Sequence, residues 1–151
     1  MNPNHHRITV RAAAIFCLLL VSGCASKVYH HPALETVPSA PSAAVYFFRE
    51  DVETGMDKPL PVYLNDTKLL QLTRATYAIV TLKPGIFSVE VRPEDTFPWE
   101  ACGGPMEFMD GQTYFLLIHY ETSGLTRCFS PNFITEDRAR SLMDAYVPVR
   151  R

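Results

Sequence analysis

Thr76-Tyr77-Ala78-Ile79-Val80-Thr81-Leu82-Lys83-Pro84-Gly85-Ile86-Phe87-Ser88-Val89-Glu90-Val91 is the stretch on which the fold of this chain turns. Its first seven residues are dominated by β-branched, aromatic and aliphatic side chains, the types that fit a pleated surface. In its last run, Phe87, Val89 and Val91 alternate with Ser88, Glu90 and, one residue on, Arg92. That period of two places one face of a strand on a core and the other in water. Between the runs, Lys83-Pro84-Gly85-Ile86 fits a type II turn, with proline setting φ at the second position and glycine supplying positive φ at the third. The two runs are therefore expected to form a hairpin.

Upstream, Ala44 to Arg49 is apolar on both faces, as a central strand of a covered sheet would be. A polar loop from Glu50 to Pro59 leads to Pro61–Leu64 and Lys68–Leu72, which flank Asn65-Asp66. Both turn residues tolerate positive φ, so a second hairpin is expected there. Downstream, Pro93 to Pro105 reads as a long irregular stretch holding Trp99, Cys102 and Gly103-Gly104, and a loop of that length is either functional or pinned. Met106–Met109, the turn Asp110-Gly111 and Gln112–Tyr120 predict a third hairpin. In its return strand Tyr114, Leu116, Ile118 and Tyr120 oppose Phe115, Leu117 and His119, and Leu125–Phe129 is expected to close the sheet. Near the C-terminus the period changes. Ala139, Leu142, Met143 and Tyr146 recur at i, i+3, i+4 and i+7, one stripe of a helix. Thr135 can cap that helix, Glu136 and Asp137 suit its first turn, and Pro148 ends it. The expected class is mainly β, a small antiparallel β-sandwich over residues 44–151 with a short C-terminal α-helix.

The N-terminal segment is of another kind. Met1 to Arg11 carries two arginines and no acid, and Ala12 to Val21 is an unbroken apolar run the size of a signal-peptide core. It is too short to span a bilayer. It closes on Val21-Ser22-Gly23-Cys24, which resembles the bacterial lipobox. That resemblance implies cleavage between Gly23 and Cys24, so that residues 1–23 are removed, and acylation of Cys24. Two or more acyl chains hold a protein stably at a membrane, whereas one does so only marginally. Ala25-Ser26 lacks the aspartate associated with inner-membrane retention, which points to the outer membrane. Residues 24–43, rich in Ala, Ser and Pro, read as a flexible tether. Such a tether reaches about 60 Å when extended and about 25 Å as a coil. His30 and His31 within it have no carboxylate or cysteine framework and are assigned no metal.

The order of a Tyr-rich strand, the Pro61–Asp66 hairpin, the Tyr77–Val91 run and Gly111–Leu116 resembles a group of bacterial lipoproteins that carry a domain of unknown function, the one numbered 2846. The likeness spans about Ala44 to Tyr146. The group usually turns its first hairpin on Asp-Gly, where this chain has Asn65-Asp66. The resemblance implies a small β-sandwich-like fold and no established activity.

Fourteen Lys and Arg against sixteen Asp and Glu give a formal net charge of −2. Loss of Arg7 and Arg11 with the signal would leave the mature chain more acidic, which argues against a nucleic-acid partner. An oxidising compartment and an even count of remaining thiols predict a Cys102–Cys128 disulfide, the alternatives being a reactive thiol or half a metal site. No nucleophile elbow, zinc-protease motif or phosphate loop is present, and no cofactor is implied. The expected role is a non-catalytic structural, protein-binding or glycan-binding module of the envelope. Trp99, Phe97 and Tyr120 are its candidate contact residues, because flat rings stack on sugars and peptides. Glu94, Asp95 and Glu100 nearby favour a cationic or peptide partner. The alternative is a small-ligand-binding or hydrolytic periplasmic protein using His119 as general base, beside Glu121 or Asp110.

Overall fold

A computed structural model describes residues 27–28, 41–53, 58–94, 101–123 and 126–149. Among the described residues ten strands and one helix follow one another: β1 (Lys27–Val28), β2 (Ala43–Arg49), β3 (Leu60–Leu64), β4 (Thr67–Leu72), β5 (Thr76–Leu82), β6 (Gly85–Val91), β7 (Cys102–Phe108), β8 (Thr113–Ser123), β9 (Thr126–Phe133), α1 (Glu136–Ala145) and β10 (Val147–Pro148). They form two five-stranded sheets, ordered β1-β4-β3-β6-β7 and β10-β5-β2-β8-β9. The sheets face each other as a sandwich, with α1 against the outer face of the second.

The alternation seen in the sequence builds the core. Val45 and Phe47 of β2, Val62 and Leu64 of β3, Val80 and Leu82 of β5, Val89 and Val91 of β6, and Leu116 and Ile118 of β8 are fully buried between the sheets. Each such side chain contributes about 1.5–3 kcal/mol by leaving water. β2 is the central strand of its sheet, as its two apolar faces require. Its inner face meets the core, and Phe48 on its outer face meets Ala139 and Leu142 of α1. The Asn65-Asp66 hairpin forms as expected, with φ of 48° and 65°, and the Asn65 side chain accepts the Ser88 N–H at 2.9 Å.

Two of the expected hairpins are instead crossings between sheets. β5 lies between β10 and β2, whereas β6 lies between β3 and β7. Lys83-Pro84 therefore carries the chain across the sandwich, and Gly85 has φ 151° rather than the value near 80° of a type II turn. The physical reason is that alternation fixes which face of each run is apolar without fixing its partner. Val80 and Leu82 can face Val89 and Val91 across the core as well as beside them in one sheet. The Asp110-Gly111 turn forms, with Gly111 at φ 69°, yet it too joins strands of different sheets, β7 and β8. β2 and β8 then pair in parallel, Ala44 opposite Thr113 and Arg49 opposite Ile118, so the sandwich is mostly rather than wholly antiparallel.

The stretch read as irregular up to Pro105 contains most of β7. Gly103 and Gly104 are strand residues here, and at Gly103 β7 runs close to β6. A Cβ on Gly103, at φ 138°, would strike the Val89 carbonyl oxygen. Pro105, lacking an N–H, sits on this edge strand, where strand prolines belong. Gly103→Ala is expected to lower stability by about 2 kcal/mol, since an edge strand can shift away from part of the clash. A urea melt superimposable on the parent's would remove this account.

The helix follows its sequence closely. The Thr135 hydroxyl accepts the Arg138 N–H at 3.4 Å, Glu136 and Asp137 occupy the first turn, and Ala139 and Leu142 are buried. The Tyr146 hydroxyl accepts the Asp51 N–H at 3.1 Å. Burial, helped by the Asp51 and Glu50 carboxylates, pushes its phenol above the usual value of 10.0. A tyrosine with a raised folded pKa stabilises the fold fully below its unfolded value, and that contribution is lost as pH rises through the folded value. Above pH 10 the wild type should lose stability more steeply than Tyr146→Phe. Thermal melts from pH 8 to 11 check this, and parallel pH profiles would contradict it.

Candidate functional site

α1 covers the outer face of its sheet incompletely. The alternation of β2 and β8 sends Tyr46, Phe48, Phe115 and Leu117 to that face, where Phe48 and Tyr77 stack at 5.4 Å beneath the helix. Tyr46 and Phe115, 5.1 Å apart, extend past this cover. They floor a groove of about 560 Å³ with Met143, Glu136 and Arg140 on the helix side and Gln112 and Thr113 at the end. This volume is typical of small-ligand sites, about 300–1,000 Å³. Arg140 donates from both Nε and Nη2 to Oε1 of Glu136, which raises the guanidinium pKa further above its ordinary value. The pair sets a cation and an anion on the helix side of the groove that the two aromatic rings line. Such a site can stack a flat ring or sugar face and bind its polar rim through Arg140, Gln112 and Thr113. The i, i+4 spacing of Glu136 and Arg140 and the outward parity of Phe115 were the available sequence signals. They did not reveal that the helix stops short of Tyr46.

The residues singled out from sequence fare differently. Gly23, Cys24, Phe97 and Trp99 lie outside the described residues. Tyr120 lies in β8, as its alternation predicts. β8 continues to Ser123, which leaves Tyr120 within the strand on the parity of Leu116 and Ile118, packed on the core and 5.4 Å from the Phe129 ring. Its ring is therefore occupied by the protein's own interior. Cys102 and Cys128 are joined, with Cα atoms 5.8 Å apart, and the bond ties β7 to β9. These are the edge strands on one side of the two sheets.

His119 lies on the outer face of β8, 32% exposed. Its Nε2 is 2.8 Å from Oε1 of Glu121, and its Nδ1 is 3.2 Å from the Asn132 amide nitrogen, which also reaches the Ser130 hydroxyl at 3.3 Å. With Nε2–H donating to Glu121, Nδ1 accepts from Asn132, so both ring nitrogens are engaged. Asp110 is elsewhere, its carboxylate accepting the Ser42 N–H at 2.7 Å. Among the described residues no three metal-ligating side chains gather, and no helix is long and apolar enough to cross a membrane. Comparison of the chain with protein-family models, curated proteins and solved structures finds no match.

Proposed function

We propose that this chain is a lipid-anchored bacterial envelope protein whose β-sandwich is a non-catalytic module binding an envelope protein or glycan. The observation that carries the reading is the basic start, the ten-residue apolar run and the terminal Val21-Ser22-Gly23-Cys24. The resemblance to lipoproteins bearing the domain numbered 2846 supports it. So does the Cys102–Cys128 bond, of a kind that persists outside reducing compartments. The outer membrane, on its periplasmic or external face, is the proposed location. The groove at Tyr46, Phe115 and Arg140 supplies a contact surface in place of Tyr120. The engagement of both His119 nitrogens supports binding over hydrolysis, because neither is directed at the Ser130 hydroxyl as a base would be.

Metabolic labelling with an alkyne fatty acid should mark the wild type and not Cys24→Ser, and the variant should leave the membrane fraction. An unlabelled wild type would refute the anchor. For the groove, a photo-crosslinker at Thr113 should capture one dominant envelope partner in cells, and that adduct should vanish with Arg140→Glu in a protein whose melt is unchanged. Capture indifferent to Arg140 would refute the groove as the contact surface.

A further inference from the structure

β1 bears on where the sandwich sits relative to its anchor. It pairs antiparallel with the outer edge of β4, Lys27 opposite Gln71 and Val28 opposite Leu70. The chain is thus held to a sheet only three residues after Cys24. A trans chain advances at most about 3.6 Å per residue, which confines Cys24 to roughly 11 Å from Lys27. The sequence alone predicts a tether that lets the domain stand off the lipid, and a strand starting this soon after the cysteine removes that freedom.

The direction of the chain follows from the pairing. Antiparallel strands run oppositely, so the N-terminal end of β1 at Lys27 points along β4 toward Leu72 and the Thr73–Ala75 turn into β5. Val147 occupies the same end. It is 65% exposed, and its N–H donates to the Ala75 carbonyl at 3.1 Å. Leu82, opposite Ala43, marks the other end of β5, about 20 Å away at the usual rise per strand residue. Ala44, next to Ala43, is opposite Thr113, so the groove opens at this second end.

We propose that acylated Cys24 holds the Thr73–Ala75 end of the sandwich, with Val147 beside it, against the bilayer surface, so that the groove of Tyr46, Phe115 and Arg140 faces away from the lipid. This orientation rests on the lipid-anchor reading above. An exposed valine suits the headgroup boundary, where apolar burial adds to the hold of the acyl chains.

Val147 and Ile86 are a matched pair of probes. Ile86 is 68% exposed, beside the Lys83-Pro84 crossing at the groove end. In a Trp99→Phe background, Val147→Trp and Ile86→Trp proteins are acylated in cells and reconstituted into phosphatidylcholine vesicles carrying a headgroup nitroxide. Fluorescence should be quenched several-fold more at position 147 than at position 86. Lys27→Pro with Val28→Pro removes the N–H groups of β1 while leaving Cys24 in place, and should bring the two quenching constants together. Equal quenching in the parent proteins, stronger quenching at position 86, or a difference that survives the double proline change would overturn the orientation. Intact mass separates the two readings. Protein without acyl chains on Cys24 overturns the anchor and the orientation together, whereas acylated protein with equal quenching overturns the orientation alone.

Discussion

Replacing Cys102 and Cys128 together by serine is expected to lower the free energy of unfolding by about 3–4 kcal/mol, the chain-entropy value for a loop of this length. The two cysteines are 26 residues apart in sequence and close the side of the sandwich where β7 and β9 are the last strands. Among the described residues neither strand has an in-sheet neighbour beyond it to hold it in place. At the opposite end of this side, packing replaces the covalent link. Phe108 meets Tyr114 edge-on at 5.1 Å, and Tyr114 lies 5.9 Å from Phe133. Without the bond, the Cys102 end is held only by its ladder to β6 and its packing against β9, and two strand edges are freer to pair with other chains. Urea melts of the oxidised parent and the double serine variant measure the difference. A loss below about 1 kcal/mol would show that packing at the aromatic end suffices and that the bond contributes little through the unfolded chain.

Arg49→Met is expected to cost about 3–5 kcal/mol, despite keeping a long, flexible side chain. Arg49 has the inward parity of Val45 and Phe47 and is only 1% exposed. Its Nη1 donates to the Lys58 carbonyl at 2.7 Å and to the Leu72 carbonyl at 3.0 Å, and its guanidinium carbon lies 5.7 Å from the Phe129 ring. One side chain from the second sheet thus binds the backbone on both sides of the β3–β4 hairpin in the first and abuts β9. Methionine fills much of the volume but offers no donor, so two carbonyls lose a charged partner within the fold. Arg49→Lys should recover only part of the loss, because an ammonium cannot reproduce the planar fork. Chemical denaturation of the three proteins is the check. A methionine variant within about 1 kcal/mol of the parent would mean that water reaches these carbonyls and the guanidinium is not needed.

The legible parts of this protein were those decided within a few residues. Asn65-Asp66 specifies its hairpin because both residues accept positive φ. Thr135, the acidic first turn and the Ala139/Leu142 stripe specify α1, since capping and amphipathicity act along one segment. The burial of Val89 and Val91, and of Leu116 and Ile118, follows from a period of two. Pairing of Cys102 with Cys128 was legible from compartment and count, although their placement on two sheet edges was not. The strand parity of Tyr120 was legible, but its packing on the core and on Phe129, which takes its ring from the role of a contact residue, depends on the sheet opposite and on β9. The groove was not legible beyond the Glu136/Arg140 spacing and the parity of Phe115. It exists because α1 covers Phe48 and leaves Tyr46 and Phe115 partly bare, which depends on how a helix lies across strands distant in sequence.

The sequence by itself determined the apolar faces of β6 and β8, the Asn65-Asp66 and Asp110-Gly111 turns, the capped helix and the cysteine motif on which the anchor reading rests. Tertiary structure alone decided that Lys83-Pro84 and Asp110-Gly111 carry the chain between sheets, that β2 and β8 run in parallel, and that Lys27–Val28 joins the edge of β4. The physical reason is that side-chain alternation and turn propensity are local and indifferent to partner. A strand with one apolar face is equally served by a neighbour beside it or a sheet opposite it, and the choice is made only when the strands compete for the same core.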